Sequence, residues 1–311
     1  MTRYHHTRSR LFYSIKPFLP RFLQIAIRRQ IALYIRWMNN TKWPIDPEAG
    51  FRPQGWRSWP EGKKFALILS HDVDTIKGYN NALKLAAIEK KLGFRSIFNF
   101  VPERYGEISF AIIDQLRQEG FEVGLHGLKH DGKLFATKRI FDRRVPRLNA
   151  YLEKWQTDWF TSPSMHRNLN WLTALNINYA VSTFDTDPFE PQPDGVKTIF
   201  PFWVTNPETR NRYLEIPYTL PQDSTLFVIL KEKTNQIWKT KLDWIAAHGG
   251  LALLNTHPDY MAFDDGKAGL FQYTIKFYTD FLEYIKFQYA GQLFHSKPTS
   301  VAGYALSQLQ S

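Results

Sequence analysis

The sequence contains no cysteine among its 311 residues. Disulfide bonds and thiolate metal ligands are therefore excluded, so a bound metal must be held by histidine and carboxylate groups. The absence of cysteine fits a reducing compartment. The length of 311 residues is enough for one large domain or two small ones, and a hydrophobic content of 43% is ample for a sizeable core.

Long apolar runs are also missing from the sequence. No stretch approaches the roughly 18 residues that a membrane span requires. The apolar stretch 22–27 is short, runs into Arg28 and Arg29, and has no small-residue cleavage site after it, so no signal peptide is predicted. We therefore expect a cytoplasmic protein that lies, at most, peripherally on the inner membrane surface.

Acidic residues are scarce at the start of the chain. Residues 1–50 hold nine Lys or Arg and two Asp or Glu, a net of +7 out of +11 for the whole sequence. The basicity therefore belongs mainly to an N-terminal arm, which we assign to residues 1–40. No nucleic-acid recognition motif accompanies this charge, so we expect no nucleic-acid partner.

The arm contains an amphipathic pattern that predicts a helix over residues 21–37. Its four arginines share one arc, and Leu33, Tyr34 and Trp37 lie largely opposite. Packing on the domain or on a partner subunit is the commoner use of such an apolar face, and we expect it here. The alternative is contact with an anionic membrane, which suits a basic helix with Trp and Phe.

Strands and helices alternate through most of the sequence. Residues 41–62, rich in Pro, Gly and Trp, predict an irregular connector, and a barrel domain is expected over 63–311. Alternation of this kind predicts a mostly parallel sheet, open or closed as a barrel. The predicted strands are 65–70, 95–100, 121–125, 159–160, 178–183, 213–218, 226–230 and 251–255; the predicted helices are 77–92, 108–119, 135–153, 169–175, 234–247 and 269–289, with 185–210 irregular and a short strand and a helix at the end.

Reactive side chains follow the first predicted strand directly. His71, Asp72 and Asp74 can each hold a metal or move a proton. Asp72 and Asp74 are two residues apart, so on a continuing strand they point to the same side. Two such carboxylates repel each other unless a cation or a shared proton intervenes. The plain alternative is an Asx-turn or a cap for the helix that follows.

Two later strand ends also carry histidines. His126 and His130 share a face if they lie on one helical turn, which suits two ligands of one cation, although surface histidines in a polar loop are the alternative. His257 follows the strand 251–255 and precedes a proline, where a hydrogen-bonded turn histidine is the alternative. Two histidines and one aspartate would leave open positions for water and substrate.

The order Asp-x-Asp, His-x-x-x-His and a late strand running into His257 resembles the polysaccharide deacetylases. This is the NodB-homology group, or carbohydrate esterase family four, and the match is to its Asp-x-Asp subgroup over residues 63–305. The resemblance implies a distorted (β/α) barrel that removes acetyl groups from N-acetylated sugars with one divalent metal, zinc being the expected ion.

The resemblance also implies a role for each residue of the motifs. Asp74, His126 and His130 are expected to bind the metal. Asp72 is expected to act as general base on the metal-bound water, and His257 as the general acid that protonates the leaving amine.

The third family motif is altered in this sequence. The family has Arg-x-Pro, whereas here Pro163 is kept and Thr161 stands at the arginine position. That arginine normally steadies the catalytic aspartate, and we expect Arg167 to reach the same place. The fourth motif supplies a carboxylate that orients the acid histidine, for which we expect Asp185 or Asp187, a simple turn being the alternative.

His71 remains after these assignments. We expect it beside the metal ligands, with an extra ligand or a core histidine as the alternatives. The sequence as a whole predicts a metal-dependent hydrolase of carbon–nitrogen bonds, most simply a sugar or glycan N-deacetylase. The alternatives are a hydrolase of small amides or imides, a barrel that binds glycan or partner without turnover, and an assembly protein whose N-terminal helix is the active part.

Overall fold

The structure is a computed structural model. It describes residues 20–309 apart from Glu107 and residues 265–267, so the first nineteen residues of the predicted basic arm lie outside it. Within the described ranges, no helix is both long and apolar enough to cross a membrane.

Strand β1, Phe65–Val73, organises the sheet because all nine of its residues are buried. A strand buried on both faces reads as a continuous apolar run, as the residues at the start of β1 do. On one side β1 pairs with β8, Leu251–Thr256. On the other it pairs first with β11, Leu293–His295, and then with β2, Ile97–Phe100.

The sheet continues from β2 and curls towards closure. The order is β11-β1-β2-β3-β4-β5-β7-β6, and every pairing is parallel except that of β6 with β7. Beyond β7, Tyr218 bridges to Phe184 and Leu220 bridges to Leu254 of β8, so this short segment links the far side of the sheet to the β8 side of β1. The remaining strands are β3 Glu122–His126, β4 Trp159–Thr161, β5 Tyr179–Val181, β6 Phe202–Thr205, β7 Arg212–Glu215, β9 Met261–Ala262 and β10 Tyr273–Thr274.

Helices follow most of these strands and cover the outside of the sheet. The helix that follows β1 is α2, Ile76–Leu92. It begins after Thr75, whose hydroxyl accepts from the Lys77 N–H, and it ends at Gly93 with φ +90°. A left-handed residue after a helix favours glycine, so this stop is readable in the sequence. The helices are α1 Arg21–Met38, α2 Ile76–Leu92, α3 Phe110–Gln118, α4 Lys138–Lys154, α5 Leu169–Leu172, α6 Gln236–His248, α7 Lys276–Gln288 and α8 Pro298–Gln308.

Three predicted elements differ from the structure. Residues 226–230 were expected to be a strand, but Ser224–Ile229 forms a π-helix that is buried almost throughout. A short apolar run bounded by turns fits a buried helix as well as a strand, and here its length did not distinguish them. The stretch 185–210 contains β6, and the predicted helix 269–289 begins only at Lys276, after β10.

Helix α1 does not pack in the expected way. Ala32 is buried against the domain, and Ile25 and Ile35 are half-buried beside it. Leu33, Tyr34 and Trp37 are exposed instead. The expectation that the apolar face of this helix packs on the domain is therefore wrong, because the domain contacts the opposite side.

Candidate active site

The carboxyl ends of several neighbouring strands meet at one edge of the curled sheet. Asp72 of β1 lies opposite Asn99 of β2, and His126 of β3 lies opposite Thr161 of β4. Parallel strands bring their carboxyl ends to the same edge, so residues far apart in sequence become neighbours there. In β8, Asn255 stands at the same edge, across from β1.

Asp74, His126 and His130 form the candidate metal site. One ligand atom from each lies within 4.8 Å of the other two. Asp74 Oδ1 is 3.4 Å from His126 Nε2 and 3.1 Å from His130 Nε2. His130 reaches this position with a backbone φ of +50°, so the His-x-x-x-His segment is a loop and not the helical turn considered from sequence.

The unsatisfied atoms of this cluster fit a cation. Asp74 Oδ1 and His126 Nε2 are buried and have no hydrogen-bond partner. Buried polar atoms are almost always partnered, so two orphans facing each other require an explanation such as an ion. Two imidazole nitrogens and a carboxylate oxygen are ligands that divalent zinc accepts.

The charges of the cluster favour an ionised aspartate. Burial acts to raise the pKa of Asp74, but His130 and His126 beside it hold that pKa well below its usual range. Burial lowers the pKa of His130, whose imidazole therefore tends to remain neutral. Burial also acts to lower the pKa of His126, but the Asp72 and Asp74 carboxylates outweigh it and raise that pKa. Metal ligation requires an ionised carboxylate and neutral imidazoles, so a bound cation would displace a proton from His126.

Asp72 lies beside the metal cluster and is fixed by three donors. Its Oδ1 accepts from Thr161 Oγ1 at 3.0 Å and from Asn99 Nδ2 at 3.1 Å. Its Oδ2 accepts from Asn255 Nδ2 at 2.7 Å. These hydrogen bonds hold the carboxylate in one orientation, and His126 Nδ1 lies 3.5 Å from its Oδ1.

Thr161 also contacts His126. The distance from Thr161 Oγ1 to His126 Nδ1 is 2.7 Å. Since the Thr161 hydroxyl donates its single proton to Asp72, it accepts from Nδ1–H of His126. In the neutral imidazole this arrangement leaves the lone pair of His126 on Nε2, which is the atom that faces Asp74.

His257 is oriented by Asp223. The Nδ1–H of His257 donates to Asp223 Oδ1 at 2.7 Å, and its backbone N–H donates to Oδ2 at 2.8 Å. The Tyr273 hydroxyl donates to the same Oδ2 at 3.0 Å. Burial acts to lower the pKa of His257, but the Asp223 carboxylate outweighs it and raises the pKa to about 10.

The predicted partners of His257 lie elsewhere. Asp185 forms a buried ion pair with Lys241, with 2.6 Å between Oδ2 and Nζ. Asp187 accepts from the Tyr218 hydroxyl at 2.8 Å. The prediction that one of these carboxylates orients His257 is therefore wrong, because Asp223 takes that place.

Arg167 and His71 were also assigned wrongly. The guanidinium of Arg167 donates to the backbone carbonyls of Gln192 and Asp194 and lies over the Phe184 ring, so it does not replace the family arginine at Asp72. His71 lies in the core, with Nε2 2.8 Å from Glu89 Oε1. A strand residue next to Asp72 points to the opposite face of the sheet, which explains its distance from the site.

Pro163 and Asp259 shape the loops around the site. Pro163 packs on Gly127, where an added Cβ would lie 2.2 Å from the proline Cγ. Asp259 accepts from the backbone N–H of Asp74 at 3.0 Å and from the Thr75 hydroxyl at 2.5 Å. The backbone of the metal-site aspartate is therefore tied to the loop that follows His257.

Sequence reasoning missed four polar residues of the site. Asn99 and Asn255 interrupt apolar strands, and an amide in a buried strand is a readable signal. Asp259 follows His257 by two residues and was equally visible. Asp223 carries no local signal, because it reaches His257 across 34 residues of chain.

Among the comparisons with known proteins, similarity is found only to solved structures. A scan against models of protein families finds no match, and a search of curated proteins finds none. Among solved structures, the chain is similar to one from Mycobacterium smegmatis that carries the provisional designation polysaccharide deacetylase, at 15% identity and a TM-score of 0.61. The similarity covers 83% of this chain and 95% of that one.

Two further solved structures are similar at lower TM-scores. Peptidoglycan deacetylase PdaC from Bacillus subtilis is 11% identical with a TM-score of 0.44, over 80% of this chain and 95% of that one. A family 4 carbohydrate esterase from Streptomyces lividans, in complex with acetate, is 9% identical with a TM-score of 0.44, over 75% and 92%. The predicted fold class is confirmed by the Mycobacterium smegmatis structure: the chain has the polysaccharide-deacetylase type of (β/α) barrel.

Proposed function

We propose that this protein is a metal-dependent hydrolase that removes the acetyl group from an N-acetylated sugar or glycan. The observation that carries the proposal is the convergence of Asp74, His126 and His130 beside a fixed Asp72 and an Asp223-bound His257. A ligand set, a carboxylate base and a cationic acid in one place are what amide hydrolysis requires.

Two residues carry out the proton transfers, Asp72 as the base and His257 as the acid. Asp72, held by three donors, accepts the proton of the attacking water. His257 remains protonated at neutral pH because its pKa is raised to about 10, and it donates to the amine nitrogen as the carbon–nitrogen bond breaks. Water and the acetamido group are thereby converted into acetate and a free amine.

Asp74, His126 and His130 would hold the metal. When bound, a divalent cation supplies Lewis acidity towards the acetyl carbonyl and lowers the pKa of water. The hydrogen bond from Thr161 to Asp72 supports this enzymatic reading over a barrel that only binds. The threonine supplies a contact to the aspartate at the position where the family arginine is lost.

Metal content tests the ligand set. Elemental analysis of the wild type, purified without chelator, is expected to give about one zinc or other divalent ion per chain. The double variant His126→Ala/His130→Ala, purified in parallel, is expected to lose it. A wild type that binds no zinc, nickel or cobalt would remove the catalytic reading and favour the binding barrel.

Acetate release tests the reaction. The metal-loaded protein is expected to release acetate from N-acetylglucosamine oligomers, and Asp72→Asn is expected to reduce the rate by roughly 10²-fold or more. Asp114→Asn, on the exposed side of α3, is the matched control and should retain the rate. Turnover of small amides or cyclic imides without acetate release would favour the small-amide alternative.

A further inference from the structure

Helix α1 carries an unusual concentration of exposed apolar side chains. Among the described residues, twelve large hydrophobic side chains are exposed, and seven of them belong to this one helix. Trp37 and Tyr34 are 68% and 62% exposed, and their rings contact each other with centroids 6.1 Å apart. Scattered apolar residues on a surface are ordinary, but a contiguous group marks an interaction site.

The exposed side chains form one continuous face. Leu23, Ile27, Tyr34 and Trp37 recur at the spacing of one helical face, and Ile31 and Met38 extend it. The domain takes up the opposite side, where Ala32 is buried. The helix therefore presents a mainly apolar face outwards, with Gln30 within it, which we call the outer face of α1.

Positive charge accompanies α1 but lies on its domain side. On a helical wheel Arg28, Arg29 and Arg36 fall on the arc that contains the packed stripe, and Arg36 pairs with Glu232 of the domain. Residues 1–40 together hold eight Lys or Arg and no Asp or Glu. An apolar helix face within a strongly basic segment has the features of one that lies in the headgroup region of an anionic bilayer.

We propose that the outer face of α1 docks on the surface of an anionic lipid bilayer. A second copy of the chain fits less well, because pairing two outer faces would bring two exclusively basic arms together. Coverage by residues 1–19 is disfavoured for the same reason, since they add four further cations and no anion. An anionic surface supplies both the apolar interior and the opposite charge.

The docking helix is connected to the candidate active site. It packs against the π-helix Ser224–Ile229, and Asp223 stands at the start of that element. Asp223 in turn binds His257, whose ring lies 5.3 Å from that of Tyr260. A bilayer bound to the outer face would therefore be linked to the acid side of the site through α1, the π-helix and Asp223.

This placement deepens the proposed function and rests on it. An N-acetylated sugar carried on a lipid anchored in the same bilayer is the substrate class that a surface-docked deacetylase can reach. Free sugars in solution require no such helix. The lipid-docking surface and the deacetylase chemistry can nevertheless fail separately, because vesicle binding needs no turnover.

Vesicle co-sedimentation of the full chain tests the docking surface. We expect binding to vesicles of phosphatidylcholine with one quarter phosphatidylglycerol, weaker binding to pure phosphatidylcholine, and a loss of binding as NaCl rises from 0.1 to 0.5 M. Tyr34→Glu/Trp37→Glu is expected to reduce the bound fraction at least tenfold. Phe287→Glu is the matched control, because Phe287 is 88% exposed on α7 and should leave binding unchanged.

The outcomes that overturn the proposal are equally definite. Wild-type chain that stays in the supernatant with anionic vesicles overturns it, as does binding that the double variant retains. Light scattering tests whether a second copy of the chain occupies the outer face instead. That alternative would be supported if the wild type is a dimer that does not bind vesicles and Tyr34→Glu/Trp37→Glu is a monomer. Circular dichroism of each variant verifies that it is folded.

Discussion

Thr161 contacts two side chains with different proposed roles, the general base Asp72 and the metal ligand His126. Its hydroxyl donates to Asp72 and accepts from Nδ1–H of His126, so one oxygen fixes both the carboxylate and the imidazole tautomer. Groups behind a metal ligand commonly set its orientation and affinity in this way. At the position where the resemblance implies an arginine, the threonine therefore supplies a contact to Asp72 without a positive charge.

Removing this hydroxyl gives the first prediction. Thr161→Val keeps the shape and loses the hydrogen bonds, so we expect metal affinity to fall by roughly 10- to 100-fold and kcat to fall with it. Thr161→Ser retains the hydroxyl and should restore both. Metal titration together with acetate release measures the effect. Equal losses in the Ser and Val variants would mean that packing of the methyl group, not the hydroxyl, matters.

A second residue-level prediction concerns His257. Asp223→Asn removes the carboxylate that raises the pKa of His257 to about 10, so that pKa should fall. The histidine would then lose its proton at lower pH, and the alkaline limb of the kcat/KM profile should shift to lower pH. An alkaline limb that stays in place would show that another group is the acid.

The residues of the site were predictable to different degrees. Asp72, Asp74, His126, His130 and His257 stand at or shortly after the ends of apolar strands, so the strand ends pointed to them as candidates, and the family resemblance supplied their expected roles. The partner of His257 was not predictable, since Asp185 and Asp223 are both aspartates in irregular segments. Only the fold decides that one meets Lys241 and the other meets the histidine.

At the scale of elements, the start of α2 is fitted closely against the loop after β8. Gly78 lies in the first turn of α2, and an added Cβ there would be 2.2 Å from Asp259 Oδ2. That carboxylate holds the backbone of Asp74 and the hydroxyl of Thr75. The glycine thus allows the helix and the loop to approach each other behind the metal site.

Substitution of this glycine should therefore be costly. Gly78→Ala must displace the Asp259 carboxylate, and we expect a loss of about 1–3 kcal/mol in the free energy of unfolding and weaker metal binding. Gly303→Ala in α8 is the control, because its nearest neighbour is the Tyr179 hydroxyl at 3.5 Å. Helix propensity should make that variant neutral or slightly more stable. Calorimetry that finds both variants alike would refute the steric argument.

Strands and helices were predicted correctly where the hydrophobic pattern of the sequence matches the burial of the element in the structure. The strands β1, β3 and β8 were readable as apolar runs ending at polar groups, and β2 was readable as a short apolar run. Gly93 and Gly249 stop α2 and α6 at positive φ. The π-helix was not readable, because an element buried almost throughout shows no face to distinguish 2-residue from 3.6-residue periodicity. Tertiary burial decided its conformation.

At the scale of the whole molecule, buried carboxyl groups link stability to pH. Burial raises the pKa of Glu215 to about 8, from an ordinary value of 4.5. Its Oε1 accepts from the Ser182 N–H at 2.6 Å, while its buried Oε2 has no partner. The native state therefore keeps a proton that the unfolded chain loses above about pH 4.5.

The raised pKa of Glu215 makes the free energy of unfolding fall as pH rises. Stability from the neutral Glu215 is complete below pH 4.5 and is lost progressively as pH rises to about 8, by at most ~1.4 kcal/mol per pH unit. The raised pKa of His257 acts in the same direction above pH 6.5. Glu215→Gln should flatten the decline between pH 5 and 8, and the exposed Glu208→Gln should not. Denaturant titrations at several pH values measure this dependence. Equal slopes of the free energy of unfolding against pH in the two variants would contradict the prediction.

The outward orientation of α1 has a kinetic consequence. A protein held at a lipid surface searches for its substrate in two dimensions, and its rate follows the mole fraction of substrate in that surface. Dilution of the substrate with inert lipid would then slow the reaction even at constant bulk concentration. If the seven exposed side chains of α1 hold the protein at a bilayer, the surface concentration of the substrate, and not its bulk concentration, would determine the rate.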